Sequence, residues 1–346
     1  MTESLPHTNS ARITYERAVA VVGCGNWGRN LVRNFYELGV LCYVCDVDSS
    51  RLSQMRDKYP DLRAHTDFES LLANDEVRSI VIATPAELHF AMASAALRAG
   101  KDVFVEKPFV LAYEDGKELV RLADDGGRIL MVGHLLEYHP AIIKLNEIIL
   151  RGELGSLKYI YANRLNFGRV RQKENILWSF APHDIAVILR MVGKLPSEVT
   201  CTGAAYIRNT VADVTVTNLI FDNGVRAHIF VSWLHPYREH RLVVVGSKRI
   251  AVFNDVREQA TLVLYNHGVD SLQTDETGRE AVADPIEFWP EEPLRRECEH
   301  FLECLSTRCE PLTSGKNALQ VLKVLHASQQ SLEWLGQSTA VEMPSH

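Results

Sequence analysis

The chain lacks several features that would place it in a special class of protein. Its 346 residues carry a net charge of -7, so there is no overall excess of basic side chains to neutralise nucleic-acid phosphates. No apolar run approaches the roughly 20 residues that span a bilayer, and the opening MTESLPHTNSARITYERA contains no apolar core like that of a signal peptide. We therefore expect a cytoplasmic protein that binds neither nucleic acid nor membrane.

Paired cysteines are lacking as well. The seven cysteines are an odd number and are scattered along the chain, although Cys42 and Cys45 have CxxC spacing. Those two lie in the apolar run VLCYVCDVD, where residues three apart on a strand point to opposite faces. We expect two packed core thiols there, and neither a zinc site nor a redox centre.

A glycine-rich turn is the clearest feature of the N-terminal half. The apolar run Ala18 to Val22 leads into Gly23-Cys24-Gly25-Asn26-Trp27-Gly28, a full GxGxxG, and a helical pattern follows. This strand–turn–helix context predicts a dinucleotide site. Gly23 permits the tight turn, Gly25 lets the backbone approach a pyrophosphate, and Gly28 lets helix and strand pack closely. The N-terminus of the helix would then face the phosphates.

An acidic residue is expected about 20 residues past this motif, where it binds ribose hydroxyls. Asp46 is that residue, at the end of the next predicted strand, Leu41 to Cys45. Its carboxylate would repel a 2′-phosphate, so we expect NAD as the cofactor in preference to NADP. Arg51 lies near enough in sequence to leave NADP open, and a strand-end cap is the alternative role for Asp46.

The rest of the N-terminal half alternates strands with helices. SIVIATPAELH, KDVFVEKPF and RILMVGHLLEYHP each begin as a strand and place polar side chains where the strand ends. This alternation predicts a parallel, doubly wound sheet, in which ligands bind at the carboxyl ends of the strands. Thr84, Glu106, Lys107 and His134 are therefore expected to share one ligand site.

Strands predominate from about Lys158 onward. DVTVTNLIFDNG and VRAHIFVSWL alternate apolar and polar residues, and Asp222-Asn223-Gly224 between them is a hairpin signal. The expected fold class is α/β plus α+β, a parallel sheet followed by antiparallel strands. We expect a polar tail at 1–17, a Rossmann NAD-binding domain at 18–135 and a substrate-binding α+β domain at 136–346.

A helix is predicted in ENILWSFAPHDIAVILRMVG, with His183 and Asp184 near its beginning. Taken alone, Asp184 would be a helix cap and His183 incidental. Arginine pairs well with phosphate oxygens, and a solvated basic loop is the alternative for each residue by itself. The basic residues upstream of the helix are Arg164, Arg169, Arg171 and Lys173.

These motifs resemble, in order and spacing, those of the Gfo/Idh/MocA family of NAD(P)-dependent sugar and polyol oxidoreductases. The resemblance rests on VVGCGNWG, ATPAELH, VEKPF, VGHLLEYHPA and APHDI, and it covers most of the chain. It implies a C-terminal domain with a large open, mostly antiparallel sheet, through which members form homo-oligomers, here a dimer or tetramer. Tyr206, Phe230 and Trp233 are candidates for such an interface, with ordinary core as the alternative.

The resemblance also implies catalytic roles. Lys107, in a Glu-Lys-Pro motif whose Lys–Pro bond is often cis, would contact the reacting hydroxyl, and His183 would be the general base. Many members carry an aspartate four residues before that histidine, but this chain has Ser179, which makes His183 the better candidate for the base. A histidine with its unperturbed pKa of about 6.5 suits that role near neutral pH. No metal is needed, because Lys107 supplies the electrostatic stabilisation.

The segment NRLNFGRVRQKENILWSFAPHDI narrows the resemblance to bacterial nucleotide-sugar dehydrogenases of lipopolysaccharide and O-antigen pathways. These oxidise the 3-hydroxyl of a UDP-N-acetylhexosamine or its uronate, and a pyridoxal-phosphate aminotransferase then aminates the 3-keto sugar. We expect UDP-N-acetylglucosamine as the substrate. The alternatives are a dehydrogenase of the uronate, a 3-ketosugar reductase, an inositol or free-sugar dehydrogenase, and a non-catalytic regulator that senses NAD or sugars. Lys107 and His183 together argue against the regulator.

The candidate site residues fall into three sets. The catalytic residues are Lys107 and His183. The expected cofactor-binding residues are Gly23, Gly25, Asn26, Trp27, Gly28, Asp46, Thr84, Pro85, His89, Glu106, Lys107 and His134. The expected substrate-binding residues are Lys107, Glu137, Tyr138, Arg164, Asn166, Arg169, Asn175, His183 and Asp184.

Overall fold

The structure, a computed structural model, describes residues 16–167, 171, 174–255, 260–270 and 282–341. These residues form a six-stranded sheet followed by a nine-stranded sheet, with helices packed on both. Within the described part of the chain, no helix is long and apolar enough to cross a membrane.

The first sheet is parallel throughout. Its strands are β1 (Val19–Val22), β2 (Leu41–Cys45), β3 (Arg63–His65), β4 (Ser79–Ile82), β5 (Asp102–Glu106) and β6 (Leu130–Gly133). The helices that connect them are α1 (Gly28–Glu37), α2 (Ser49–Lys58), α3 (Glu69–Leu72), α4 (His89–Arg98) and α5 (Tyr113–Gly126). The strand order is β3-β2-β1-β4-β5-β6, so the order reverses between β1 and β4, where dinucleotides bind in such sheets. The predicted doubly wound sheet is confirmed.

Burial on both faces explains the apolar sequences of these strands. β1, β2 and β4 are buried along their whole length, because helices cover the sheet above and below. Cys42 and Cys45 are buried free thiols, as predicted.

The second sheet is mixed and mostly antiparallel, as predicted. Its strands are β7 (Leu157–Phe167), β8 (Glu198–Ala204), β9 (Val214–Ile220), β10 (Arg226–Ser232), β11 (Leu234–Gly246), β12 (Ile250–Asn254), β13 (Thr261–Tyr265), β14 (Ala283–Pro285) and β15 (Thr339–Ala340). The order is β14-β13-β12-β11-β7-β10-β9-β8-β15, and β7 pairs with β10 in parallel. The predicted hairpin joins β9 to β10, and Gly224 in its turn has a φ of 87°.

The three aromatic residues considered for an interface have different surroundings. Trp233 is buried, and its indole nitrogen donates to Asp213 Oδ1 at 2.6 Å, so its role is that of a core residue. Phe230 is half-buried on β10, while Tyr206 is exposed.

The helices that follow β6 in the chain contact the two sheets and the helices that cover them. They are α6 (Pro140–Leu150), α7 (Ile176–Val192), α8 (Pro293–Thr307) and α9 (Gly315–Glu333). α7 packs on β10 and β7, and α9 contacts β8 of the second sheet as well as α5 of the first. α8 returns to the first sheet, where Phe301 lies 5.5 Å from Phe104 of β5, ring centre to ring centre. The predicted domain boundaries stay a prediction.

Candidate active site

The glycine-rich turn has the shape of a phosphate cradle. Gly23 has a φ of 94°, and a Cβ there would lie 2.6 Å from the Ala83 carbonyl oxygen beyond β4. A Cβ on Gly28 would overlap the carbonyl oxygen of Gly23, so the start of α1 packs directly on the turn. Gly25, in contrast, has open space beside it, with Arg51 Nη1 at 3.8 Å. The turn therefore fits a dinucleotide, whose phosphates would approach the open backbone at Gly25.

Asp46 is buried at the carboxyl end of β2 and is bound to this turn. Its Oδ2 accepts from the backbone N–H of Cys24 at 2.7 Å, and its Oδ1 accepts from that of Asp48 at 2.9 Å. Arg51 Nη1 lies 3.4 Å from Oδ2. Each carboxylate oxygen has a second lone pair, so Asp46 can cap the turn and still accept a ribose hydroxyl.

Trp27 and Glu106 connect the glycine-rich turn to the end of β5. The indole nitrogen of Trp27 donates to Glu106 Oε1 at 2.5 Å. The carboxylate fills the space beside Gly133 on β6, where a Cβ would lie 2.8 Å from Glu106 Oε2. Burial raises the pKa of Glu106 to about 7, and the bond from Trp27 opposes that rise.

Lys107 reaches from the end of β5 to α7. Its Nζ donates to the backbone carbonyl of Ser179 at 3.1 Å, and the Lys107–Pro108 peptide bond is cis, as the resemblance implied. Burial lowers the pKa of Lys107. Because residues four apart share one face of a helix, Ser179 and His183 both face this ammonium group.

His183 and His134 lie against each other at the end of β6, with ring centres 6.4 Å apart. Burial lowers the pKa of His134 to about 3 and that of His183 well below its ordinary value, and the charge of Lys107 adds to both shifts. The pKa of His183 thus departs from the unperturbed value of about 6.5, because the ring is buried, which the sequence does not show. The ring is neutral and can accept a proton.

Several buried polar atoms in this cluster have no hydrogen-bond partner among the described residues. They are Nδ1 and Nε2 of His134, Nδ1 of His183 and Oγ of Ser179, and the predicted substrate residue Asn166 on β7 also has a buried, unpartnered Oδ1. Buried polar groups are normally paired, so such a concentration is typical of a site that a ligand completes.

Arg164 and Asp184 are bound to each other. The Arg164 Nε donates to Asp184 Oδ2 at 2.7 Å and Nη2 donates to Oδ1 at 3.0 Å, and both side chains are largely buried. Neither is a free ligand for substrate in this structure. Their pairing fixes the helix residue next to His183.

Asn175, a predicted substrate residue, and the basic residues upstream of α7 have different surroundings. Asn175 caps α7, because its Oδ1 accepts from the N–H of Trp178 at 3.1 Å. Arg171 pairs with Glu174 at 2.8 Å. Arg169 and Lys173 lie outside the described residues.

Glu137 and Tyr138 are enclosed behind β6. Glu137 is ion-paired with Arg190, and both line, with His134, a cavity of ≈ 220 Å³. Tyr138 is in the core, where its hydroxyl lies 3.1 Å from Thr313 Oγ1. A buried phenol in that position is not open to substrate, which the local sequence pattern did not reveal.

His89 is a buried residue that stabilises two turns at the edge of the site. It is buried, and its ring nitrogens lie 2.8 Å from the Pro108 carbonyl oxygen and 3.0 Å from that of Thr84. It holds the turn after β4, with Pro85, against the cis bond. Asn26 is bound to Arg29 of α1 at 2.5 Å and is exposed on the glycine-rich turn.

Two family models match the chain. Residues 17–134 match the GFO_IDH_MocA model, described as an oxidoreductase family with an NAD-binding Rossmann fold, and residues 142–252 match the GFO/IDH/MocA C-terminal domain. Both matches fall on the elements that build the site.

Individual proteins are similar to the chain over most of its length. It is 26% identical over 304 residues to UDP-N-acetylglucosamine 3-dehydrogenase of Acidithiobacillus ferrooxidans, covering 87% of this chain and 93% of that protein. It is 25% identical over 343 residues to the oxidoreductase YrbE of Bacillus subtilis, covering 95% and 98%. The solved structure of the Acidithiobacillus enzyme superposes with a TM-score of 0.83 at 24% identity over 92% of this chain and 98% of that one, which supports the fold.

Proposed function

The chain belongs to the Gfo/Idh/MocA family of NAD-dependent oxidoreductases, and on that premise we propose which hydroxyl group it oxidises. The reaction is oxidation of the 3-hydroxyl of a UDP-N-acetylhexosamine, with UDP-N-acetylglucosamine as the substrate. The observation that carries the proposal is the group of unpartnered buried atoms at His134, Ser179 and His183, within the described residues and beside Lys107. The choice of sugar is supported by the similarity to UDP-N-acetylglucosamine 3-dehydrogenase.

The cofactor site is proposed at the glycine-rich turn and at Asp46. Bound NAD supplies the acceptor for the hydride of the oxidised carbon. The backbone at Gly25 would admit the diphosphate, and the N-terminal end of α1 would face it. The Asp46 carboxylate would accept the ribose hydroxyls and repel a 2′-phosphate, so we propose NAD as the preferred cofactor.

His183 would take the proton of the sugar hydroxyl. The pKa of its ring lies well below the ordinary value, mainly because of burial, so the ring is neutral and ready to accept. Lys107 would donate a hydrogen bond to the same oxygen as negative charge develops there, while the Ser179 carbonyl holds the ammonium group in place. Since Ser179 brings no carboxylate, we assign the proton to His183.

The diphosphate of the substrate needs cationic side chains. Arg164 is bound to Asp184, so we assign it the role of holding Asp184 and the middle of α7 in place. Arg169, Arg171 and Lys173 then remain the candidates for the phosphates. Arg171 would have to exchange its partner Glu174 for a phosphate group.

The product and the open sheet imply partners. A 3-keto sugar is the substrate type of a pyridoxal-phosphate aminotransferase, which we propose as the next enzyme in a pathway to lipopolysaccharide or O-antigen sugars. We also propose that the exposed face of the second sheet, which includes Phe230, joins copies of the chain into a dimer or tetramer.

The test is NAD reduction with a panel of nucleotide sugars, followed at the absorbance of the reduced nicotinamide. Glutamate and a 3-keto-sugar aminotransferase are added to draw the equilibrium forward. We expect a signal with UDP-N-acetylglucosamine and none with its uronate, with free sugars or with inositol. A signal with the uronate alone would move the proposal to that substrate, and no signal with any nucleotide sugar would refute it.

Variants separate the catalytic assignment from folding. Lys107→Ala should lower turnover by about 10²–10³-fold while NAD still binds, as when one preorganised donor is removed. The matched control is Lys101→Ala at the opposite end of β5, where Lys101 Nζ donates to the Asn74 carbonyl at 2.8 Å much as Lys107 does to Ser179. Equal losses in both variants would mean that Lys107 only supports the fold.

A further inference from the structure

The thiols of Cys304 and Cys309 lie in contact at the C-terminal end of α8. Cys304 is in the last turn of α8, and Cys309 is in the loop that follows. Their sulfur atoms are 3.4 Å apart, and both are free. Cys309 is exposed, whereas the other cysteines are all buried, so this pair alone offers a sulfur atom to solvent.

The bend that brings the two sulfur atoms together is held firmly. Arg308, between them in sequence, is in the left-handed region with a φ of 58° and ends α8. Its guanidinium donates to both carboxylate oxygens of Asp102, at 2.8 and 2.9 Å. The contact between Cys304 and Cys309 therefore belongs to an anchored turn.

The imidazole of His300 lies beside the buried Cys304 thiol, where it can act as a base. His300 Nε2 lies 3.5 Å from Cys304 Sγ and accepts the backbone N–H of Leu312 at 3.0 Å. Nε2 therefore carries no proton, and the N–H is on Nδ1, which is 3.7 Å from Glu303 Oε2. Burial lowers the pKa of His300, which keeps the ring neutral. Burial and the contact with Cys309 raise the pKa of the Cys304 thiol, so this thiol needs a neighbouring base to lose its proton, and the imidazole of His300 is placed to be that base.

We propose that Cys304 and Cys309 form an oxidation site that closes to a disulfide when it meets hydrogen peroxide or another small peroxide. The exposed Cys309 thiol attacks the O–O bond, becomes a sulfenic acid and releases water from hydrogen peroxide. The Cys304 thiol then passes its proton to His300 Nε2, which gives up the hydrogen bond from the Leu312 N–H as it takes the proton, and the Cys304 sulfur attacks Cys309. The S–O bond breaks, and the departing hydroxide takes the proton to give a second water. Two thiols are oxidised by two electrons, and one peroxide is reduced.

The approach required of the sulfur atoms is small, from 3.4 Å to a bond of about 2.05 Å. A reducing cytoplasm would return the pair to thiols, so the disulfide would form under oxidising conditions and be reversible.

Peptide mass spectrometry tests this site directly. The full chain is treated with one equivalent of hydrogen peroxide, its free thiols are alkylated in denaturant, and it is digested with trypsin without reduction. Cleavage after Arg308 separates ECEHFLECLSTR from CEPLTSGK, so a disulfide joins two peptides into one product two hydrogens lighter than their sum. We expect that product, with fragmentation placing the link at Cys304 and an alkyl group on Cys298.

The matched variants are Cys309→Ser, Cys304→Ser and Cys298→Ser. The first two should abolish the linked product, and Cys304→Ser should leave a sulfenic acid on Cys309 that dimedone traps. Cys298→Ser should keep the link in full. His300→Gln should slow linkage at neutral pH by about a hundredfold, the low end of general-base effects. Recovery of both peptides unlinked from the wild type, or a link through Cys298, would overturn the proposal.

Discussion

Neutralising Asp184 tests whether the ion pair beside the proposed base is as tightly enclosed as its geometry indicates. Asp184→Asn removes the countercharge of Arg164, whose side chain is 13% exposed, while that of Asp184 is 5% exposed. Removing one partner of a buried ion pair costs about 3–5 kcal/mol, because the other charge stays buried alone. Asp255 also acts on Arg164, which raises the pKa of the arginine, so we expect a loss near the lower end, about 3 kcal/mol.

A double-mutant cycle measures the pair by itself. The cycle consists of Arg164→Met, Asp184→Asn and the double variant. Each is unfolded in urea without NAD, and the intrinsic fluorescence of the protein is the signal. The double variant should lose at least about 2 kcal/mol less than the sum of the single losses, because it leaves no unpaired buried charge. Lys316→Gln, at an exposed ion pair with Asp124, is the surface control and should change stability by about 0.5 kcal/mol or less. Additive losses, or a loss below about 1 kcal/mol for Asp184→Asn, would refute the reasoning.

Three further predictions concern protonation and cofactor choice. The acid limb of the kcat/KM–pH profile should lie below about 6.5, because burial lowers the pKa of His183; a limb at the ordinary value that disappears in His183→Gln would contradict this. Val47, next to Asp46, is 90% exposed. Val47→Arg puts a cation at this position, so the ratio of kcat/KM for NAD to kcat/KM for NADP should fall about tenfold, which is ~1.4 kcal/mol. Burial raises the pKa of Glu297 and raises that of Glu106 to about 7, so stability present at low pH should be lost as the pH rises towards 7. In Glu297→Gln the melting temperature should fall less steeply as the pH rises. A melting temperature that falls with pH as steeply as in the wild type would count against this prediction.

The first sheet was predictable because its signals are local. The spacing of Gly23, Gly25 and Gly28 and the repeated change from strand to helix predict a parallel, doubly wound sheet without any knowledge of distant contacts. The edge strands β14 and β15 of the second sheet were not anticipated. They span three and two residues, and each exists only through its one partner, β13 for β14 and the distant β8 for β15. Short segments of that kind have no periodicity of their own.

The motifs named the candidate residues of the site, but they did not show its electrostatics. In the structure Lys107 Nζ contacts the Ser179 carbonyl on α7, and His183 of the same helix lies beside His134, while the catalytic roles stay a prediction. The lowered pKa of His183, the pairing of Arg164 with Asp184 and the enclosure of Tyr138 all depend on burial. Burial is a property of the packed chain, and the residues around His183 give no local sign of it.

The serine at position 179 has a consequence for the charge of the whole site. An aspartate there would pair with the Lys107 ammonium group and neutralise it before the substrate arrives. In this chain the partner is the Ser179 backbone carbonyl, which accepts a hydrogen bond but carries no net charge. The neighbouring rings of His134 and His183 are neutral, because burial lowers the pKa of both. On the function proposed above, the positive charge of Lys107, on which the carboxylates of Glu174 and Glu106 also act, would face the oxygen that becomes negative as the hydroxyl group loses its proton.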